Sequence, residues 1–249
     1  MLKIENAQVV GWEHAIRGMR NPMNSWDKSD SYRSDSCGRI GCEDCEYWDD
    51  GCTDTSPFPY VLGLNDHKLM TDLRNAGTDH RKYLRMITVY LDITAPLYWW
   101  KEYDTYKVGT VANSCSTMHK IDAKEFTLDD FSCEHLLDSY FGEESEANID
   151  VGDGEYTPVA VLDLIVDALN LYRLKFLETK DKKYWWQMIQ LLPSSYNQRR
   201  TVMLNYEVLA NMYKSRRNHK LDEWHTFCDW IESLPYSELI TGKVKENGM

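Results

Sequence analysis

Residues 77–100 read GTDHRKYLRMITVYLDITAPLYWW, and most of the fold class follows from them. Ile87 to Ile93 alternates, with Val89, Leu91 and Ile93 on one side, which is the signature of a strand with one buried face. Pro96 suits the first turn of a helix that continues through LYWWKEYDTY until Gly109 breaks it. Upstream, HKLMTDLRNAG puts Leu69, Met70 and Leu73 on one helical face, with Asn65 or Asp66 as its cap and Gly77 as its stop.

The flanks extend this picture. Lys3 to Val10 alternates as an edge strand, and Trp12 to Met19 follows as a short amphipathic helix ending near Gly18. From Asn21 to Pro59 the chain is rich in Asp, Ser, Gly and Cys without periodicity, which marks a long loop or insertion. After the central segment, Thr127 caps a predicted helix over LDDFSCEHLLDSYF, and residues 143–155 form an acidic, solvated loop. Helices are expected over Val159 to Glu178, Lys182 to Leu192, Arg199 to Arg217 and Asp222 to Leu234. The sum is an α+β chain, a helix-rich single domain over 1–249 with a small antiparallel sheet and a Cys-rich insertion at 21–59.

Charge and composition exclude several classes. Lys and Arg total 28 against 40 Asp and Glu, so a surface of formal charge -12 repels a phosphate backbone and no nucleic-acid partner is expected. Local clusters such as Arg199-Arg200 and Arg216-Arg217 still leave room for a small anion. No stretch approaches the roughly 18 apolar residues that cross a bilayer, and MLKIENAQVV lacks the features of a signal peptide, so a cytoplasmic, membrane-free protein is expected. In that reducing compartment the 7 cysteines are thiols or metal ligands, not disulfides. Cys37, Cys42, Cys45 and Cys52 follow C-x4-C-x2-C-x6-C; they are either a structural zinc site that gives order to the insertion or free thiols in a loop.

The segment from Gly77 to His119, with NSCSTMH at 113–119, is similar in layout to the flavin-dependent thymidylate synthases. In that family a glycine-histidine turn precedes a strand, a helix leads into an Arg-His-Arg signature, and an Asn-Glu-x-Ser-x-Arg-Tyr stretch follows. His80 stands at the family's first histidine, and Asn113 and Ser116 match the second stretch. A second block, LLPSSYNQRRTVMLNYEVLANMYKSRR at 191–217, resembles the family's Leu-Pro turn and the helix carrying an Asn and an Arg, here Asn205 and Arg216. Lys101-Glu102-Tyr103 or Tyr106-Lys107-Val108 stands in place of Arg-His-Arg, and Ser114, Met118 and His119 replace the family's Glu, Arg and Tyr.

The resemblance implies a flavin-dependent thymidylate synthase-like fold assembled as a homotetramer, in a divergent, phage-like member. It implies FAD, a pyrimidine deoxynucleotide of the dUMP kind, and a one-carbon transfer that draws on folate and NADPH. His80, Lys107, Asn113, Ser116 and Asn205 would then hold the cofactor. Arg199, Arg200 and Arg216 would hold the substrate phosphate through guanidinium forks, Arg216 doubling as the catalytic candidate. The same arginines read equally well as partners of this acidic chain's carboxylates, and Asn113 and Ser116 as local caps. Tyr98, Trp99, Trp100, Tyr103 and Tyr106 form an aromatic band suited to a flavin or to a core or interface, and Cys115 is a nucleophile or a packed thiol. A transferase is the leading expectation; the alternative is a nucleotide-binding or sequestering protein that kept the fold without the reaction.

Overall fold

The computed structural model describes residues 1–34, 60–152 and 154–243. Cys37, Cys42, Cys45 and Cys52 lie outside these residues, as does most of the 21–59 insertion. The described elements run β1 (Lys3–Val10), α1 (Trp12–Arg20), β2 (Tyr32–Arg33), β3 (Tyr60–Val61), α2 (Leu64–Asn75), β4 (Thr88–Pro96), α3 (Leu97–Tyr103), β5 (Val111–Ser114) and α4 (Thr117–Lys120). They continue with β6 (Ile149–Asp150), β7 (Glu155–Tyr156), α5 (Pro158–Thr179), α6 (Lys182–Leu191), β8 (Asn197–Asn205), α7 (Tyr206–Arg216), α8 (Asp222–Ser233) and α9 (Glu238–Thr241). The sheet has four strands in the order β1-β4-β8-β5, and β6 and β7 form a separate antiparallel pair. This is the helix-rich α+β class with a small antiparallel sheet.

The chain separates into two compact units. The first comprises Met1–Ala7, Tyr90–Met203 and Arg216–Asp229; the second comprises Gln8–Val89, Leu204–Ser215 and Trp230–Met249.

In the first unit, α5 and α6 pack as an antiparallel hairpin over a core of Ile121, Phe126, Phe131, Leu162, Val166, Leu169 and Met188. A second apolar centre is aromatic: Trp99 meets Trp224 at 4.8 Å and Tyr103 at 5.2 Å between ring centroids. Most of the predicted aromatic band is therefore core here, with Trp99, Trp100 and Tyr103 buried. Pro96 precedes α3 as its cap, and the first free amides of that helix are satisfied by a turn, Leu97 N–H donating to the Tyr196 carbonyl and Tyr98 N–H to that of Ser194, both at 3.0 Å.

The second unit is organised by a buried carboxylate. Asp66 is fully buried and accepts from Arg20 Nε at 2.6 Å, from the hydroxyls of Ser29 and Ser31 at 2.7 Å, and from two backbone amides of 30–31. Asp66 therefore does not cap α2, which starts at Leu64 after Gly63; its charge belongs to an ion pair that ties α1 to α2, and its bonds to Ser29, Asp30 and Ser31 hold the segment before β2 against both. In the same unit Trp12 packs edge to face against Tyr206 and Tyr236. Gly11 sits at φ 96, where a Cβ would lie 2.1 Å from the Met86 carbonyl oxygen, so only glycine fits between β1 and α1.

One predicted helix is shortened and another is absent. Residues 197–205 are a strand, not the start of a helix from Arg199, and the helix begins only at Tyr206. Gln, Arg, Leu and Met are good helix formers, but Gln198, Val202 and Leu204 alternate into the interior, and pairing with β5 decides the outcome. After Thr127 only a 3-10 turn over Leu128–Asp130 forms, closed by a reciprocal Thr127–Asp130 capping box. Phe131 then extends to bridge Tyr196, and Ser132 N–H donates to the Ser195 carbonyl, so the backbone leaves the helix to join the 193–196 turn.

Candidate functional site

The candidate site lies wholly in the first unit, where β5 runs antiparallel to β8 with Asn113 opposite Thr201 and Ser114 opposite Arg200. Cys115 N–H donates to the Arg199 carbonyl at 3.0 Å, carrying the ladder one step further before α4 turns away. Ser116 starts α4 by accepting from His119 N–H at 3.2 Å. That bond uses one lone pair of the hydroxyl and leaves its proton free to donate.

The turn is fixed from below by Gln198. Its Nε2 donates to the Cys115 carbonyl and to Thr117 Oγ1, both at 3.0 Å, while its Oε1 accepts from Arg200 Nε at 3.0 Å. Arg200 also pairs with Asp104 at 2.8 Å and stacks over Trp100 at 4.1 Å. Because strand side chains alternate, Arg199 projects from the other face of β8, toward Asp92 at 2.7 Å. Asp92 also accepts from Thr201 Oγ1 at 2.5 Å and Asn6 Nδ2 at 2.8 Å. Hydrogen bonds from Thr201, Asn6 and Arg199 hold the Asp92 carboxyl well below the usual carboxylate range, and Asp92 in turn raises the Arg199 guanidinium.

Where β8 begins and the chain leaves β5 lies a cavity of about 410 Å³ whose lining includes Lys3, Thr94, Cys115, Ser116, Thr117, Lys120, Lys124, Tyr196, Asn197, Gln198 and Arg199. Lys3, Lys120, Lys124 and Arg199 outnumber Asp129 and Asp130 along its wall, although Lys3 pairs with Glu5, Lys124 with Asp130 and Arg199 with Asp92. Burial, followed by the charge of Asp130, pushes the Tyr196 phenol up, so it stays a neutral donor there. The result is a locally basic, hydroxyl-rich pocket in an acidic chain, with an exposed thiol, Cys115, at its edge. Such a donor set matches a phosphorylated, hydrogen-bonding small molecule.

Of the residues singled out by sequence, Ser116 and Arg199 meet in this cavity. Asn113 is exposed on β5, and Lys107 is exposed in the turn after α3. Arg200 is held by Asp104, Gln198 and Trp100 on the opposite face of β8. Arg216, the last residue of α7, pairs with Glu102, donates to Tyr106 Oη at 3.0 Å and lies over the Trp224 ring at 4.9 Å. His80 and Asn205 belong to the second unit; Asn205 Oδ1 accepts from Val208 N–H at 3.1 Å and so opens α7. Among the described residues no group of three or more His, Cys, Asp or Glu is arranged to hold a metal ion, and no helix is long and apolar enough to cross a membrane. Sequence reasoning missed Gln198, Asp92, Lys120, Lys124 and Tyr196. The alternation of Gln198, Arg200 and Val202 with Arg199 and Thr201 was the signal that could have exposed Gln198.

This order of elements, a four-stranded sheet with β5 at one edge and the α5–α6 hairpin preceding the inner strand β8, is the fold of the flavin-dependent thymidylate synthases. Among solved structures, thymidylate synthase X from Helicobacter pylori, crystallised with FAD and dUMP, superposes with a TM-score of 0.60 at 16% identity over 99% of this chain and 100% of that one. A UMP/dUMP methylase, PolB from Streptomyces cacaoi, bound with 5-Br dUMP, superposes with a TM-score of 0.51 at 12% identity over 94% of this chain and 89% of that one. At these identities the likeness is one of fold. No protein-family model and no curated protein matches the sequence.

Proposed function

We propose that this chain, functioning as one domain over 1–249, binds a pyrimidine deoxynucleotide of the dUMP kind in the cavity beside β5 and β8. There it would take part in a flavin-dependent one-carbon transfer to the pyrimidine ring. The observation that carries the reading is that Ser116 and Arg199, drawn from two separate sequence blocks, line one basic cavity in a fold shared along nearly its whole length with a thymidylate synthase that holds FAD and dUMP. Arg199, whose bond to Asp92 uses Nη2, would turn its remaining donors to the phosphate, Lys120 and Lys124 would add positive potential, and Ser116, Thr117 and Asn197 would meet the polar edges of sugar and base.

FAD, when bound, supplies the reducing equivalents, with a folate as one-carbon donor and NADPH as the source of electrons. Lys107, Asn113 and His80 have exposed polar side chains suited to a cofactor's phosphates and ribityl chain. The Asn205 oxygen is already used in opening α7, which leaves only its amide group for that task. Assembly as a homotetramer belongs to the same reading.

A second reading, nucleotide binding without turnover, is favoured by the state of Arg216. The catalytic candidate is committed to Glu102, Tyr106 and Trp224, and no Arg-His-Arg signature stands at 101–108. Titration of the purified chain with FAD by absorption and with dUMP by calorimetry tests the proposal, followed by a turnover assay with all co-reactants. Binding of both with product formation supports the transferase; dUMP binding without product supports the second reading. Binding of neither overturns both.

A further inference from the structure

Asn6 interrupts the regular backbone of β1. Its φ is 53, in the left-handed region that strand residues avoid and that asparagine tolerates better than most. Its side chain reaches β4, the neighbouring strand, where Nδ2 donates to Asp92 Oδ2 at 2.8 Å. From β8, on the other side of β4, Arg199 Nη2 donates to the same oxygen at 2.7 Å and Thr201 Oγ1 donates to Oδ1 at 2.5 Å. One carboxylate thus gathers donors from both flanking strands, one of them presented by a strained backbone. Strain of this kind persists where the surrounding structure holds it in place, and such positions cluster at functional sites.

The position of this network relative to the cavity suggests its use. Asp92 is not among the lining residues, but Arg199 is, and so is Thr94, two residues further along the same face of β4. The Arg199 side chain is 47% exposed, and an arginine so exposed spreads over many rotamers unless its tip is held. Asp92 holds it end-on, through Nη2 alone, which leaves Nε and Nη1 to donate to an anion in the cavity. A carboxylate gripping both edges of the guanidinium would have used the fork up.

We propose that Asp92 is a positioning residue, supported by Asn6 and Thr201, that aims the Arg199 guanidinium at the phosphate of the bound nucleotide. This rests on the nucleotide reading of the cavity. Asp92 has two opposed effects on an anion: it orders Arg199, which favours binding, and its own charge opposes it. The bonding pattern lets the two be separated. An asparagine at 92 with its oxygen in the place of Oδ2 still accepts from Asn6 and Arg199, while its amide takes the place of Oδ1 and donates to Thr201 Oγ1, whose hydroxyl turns from donor to acceptor. The charge is lost and the grip is kept. Alanine removes both.

Calorimetry of the full chain with dUMP and with deoxyuridine tests it. Asp92→Ala binds dUMP about threefold to tenfold more weakly than Asp92→Asn, the effect of having to immobilise one long side chain on binding. Deoxyuridine, without a phosphate, binds both variants alike. In an Arg199→Ala background the two substitutions become equivalent for dUMP as well, because Asp92 acts through Arg199. Asp92→Leu, which also lacks an acceptor, takes the place of Asp92→Ala if the latter loses the native circular dichroism spectrum. Equal dUMP affinity of the asparagine variant and the variant without an acceptor overturns the proposal, and so does a difference that survives the loss of Arg199. A wild type that binds no dUMP fails one step earlier and overturns the nucleotide reading together with the role of Asp92.

Discussion

Replacing Gln198 by Met tests how the cavity wall is held. The substitution keeps length and approximate volume, so the loss is almost purely that of hydrogen bonds. Three disappear: two to the Cys115–Thr117 turn and one from Arg200. Arg200 retains Asp104 and the Trp100 ring, and Cys115 is exposed enough for water to reach its carbonyl, so each bond is set at its net worth of about 1 kcal/mol. The expected destabilisation is about 2–3 kcal/mol, or roughly 5–10 °C in Tm for a chain of this size. Urea unfolding followed by Trp fluorescence measures the first quantity and calorimetry the second. Because the same turn forms one wall of the cavity, dUMP affinity falls along with stability. Gln187→Met, at a position with a single bond to the Lys183 carbonyl, serves as the control and stays within about 0.5 kcal/mol of wild type. If Gln198→Met matched that control, Gln198 would be a bystander and the account of the wall would be wrong.

Arg199→Ala is expected to weaken dUMP binding by about 1.5–3 kcal/mol while leaving deoxyuridine binding unchanged, which calorimetry with the two ligands resolves. Asp66→Ala strands the buried Arg20 charge and costs about 3–5 kcal/mol in urea unfolding. Burial alone would raise the Asp66 carboxyl, but hydrogen bonds from Ser31, Ser29 and Arg20 outweigh it and hold the group below its usual range. A depressed folded pKa gives stability that is complete above the unfolded value near pH 3.9 and is lost as pH falls through the lower folded value. Wild type minus Asp66→Asn, measured from pH 6 to 2, should therefore shrink only at the acid end, and a difference flat across that range would refute the assignment. Arg216→Ala removes an ion pair and two ring contacts and should cost about 1–3 kcal/mol of stability with dUMP affinity within twofold; a fall in affinity like that of Arg199→Ala would return Arg216 to the phosphate.

The parts of the fold legible in the sequence were those whose periodicity agrees with their surroundings. Lys3–Val10, the strand after Ile87 and the helices at 158–179, 182–191 and 222–233 have patterns that burial reinforces. Residues 197–205 were misread because their intrinsic preference is helical, while their strand state depends on β5, a partner more than eighty residues away that no local pattern announces. That error also hid part of the site. On a helix Arg199 and Arg200 lie on neighbouring faces, whereas on a strand they point apart, one to the cavity and one to Trp100. Asp92 escaped notice for a related reason: it was one polar residue in a strand pattern, and its role appears only when Asn6, Arg199 and Thr201 converge on it.

The short β2–β3 ribbon makes the second unit open to engineering. Arg33 and Tyr60 are directly opposed across it, so the two ends of the segment they bracket stand one strand spacing apart. A two-residue Asn-Gly turn has the reach and the twist to join them in place of residues 34–59. Loop closure changes by only about 0.6 kcal/mol for each halving or doubling of length. The junction can thus serve as a docking port where the natural cysteine-bearing stretch is exchanged for a minimal turn or for a foreign peptide, separating what that stretch contributes from what the rest of the chain does alone.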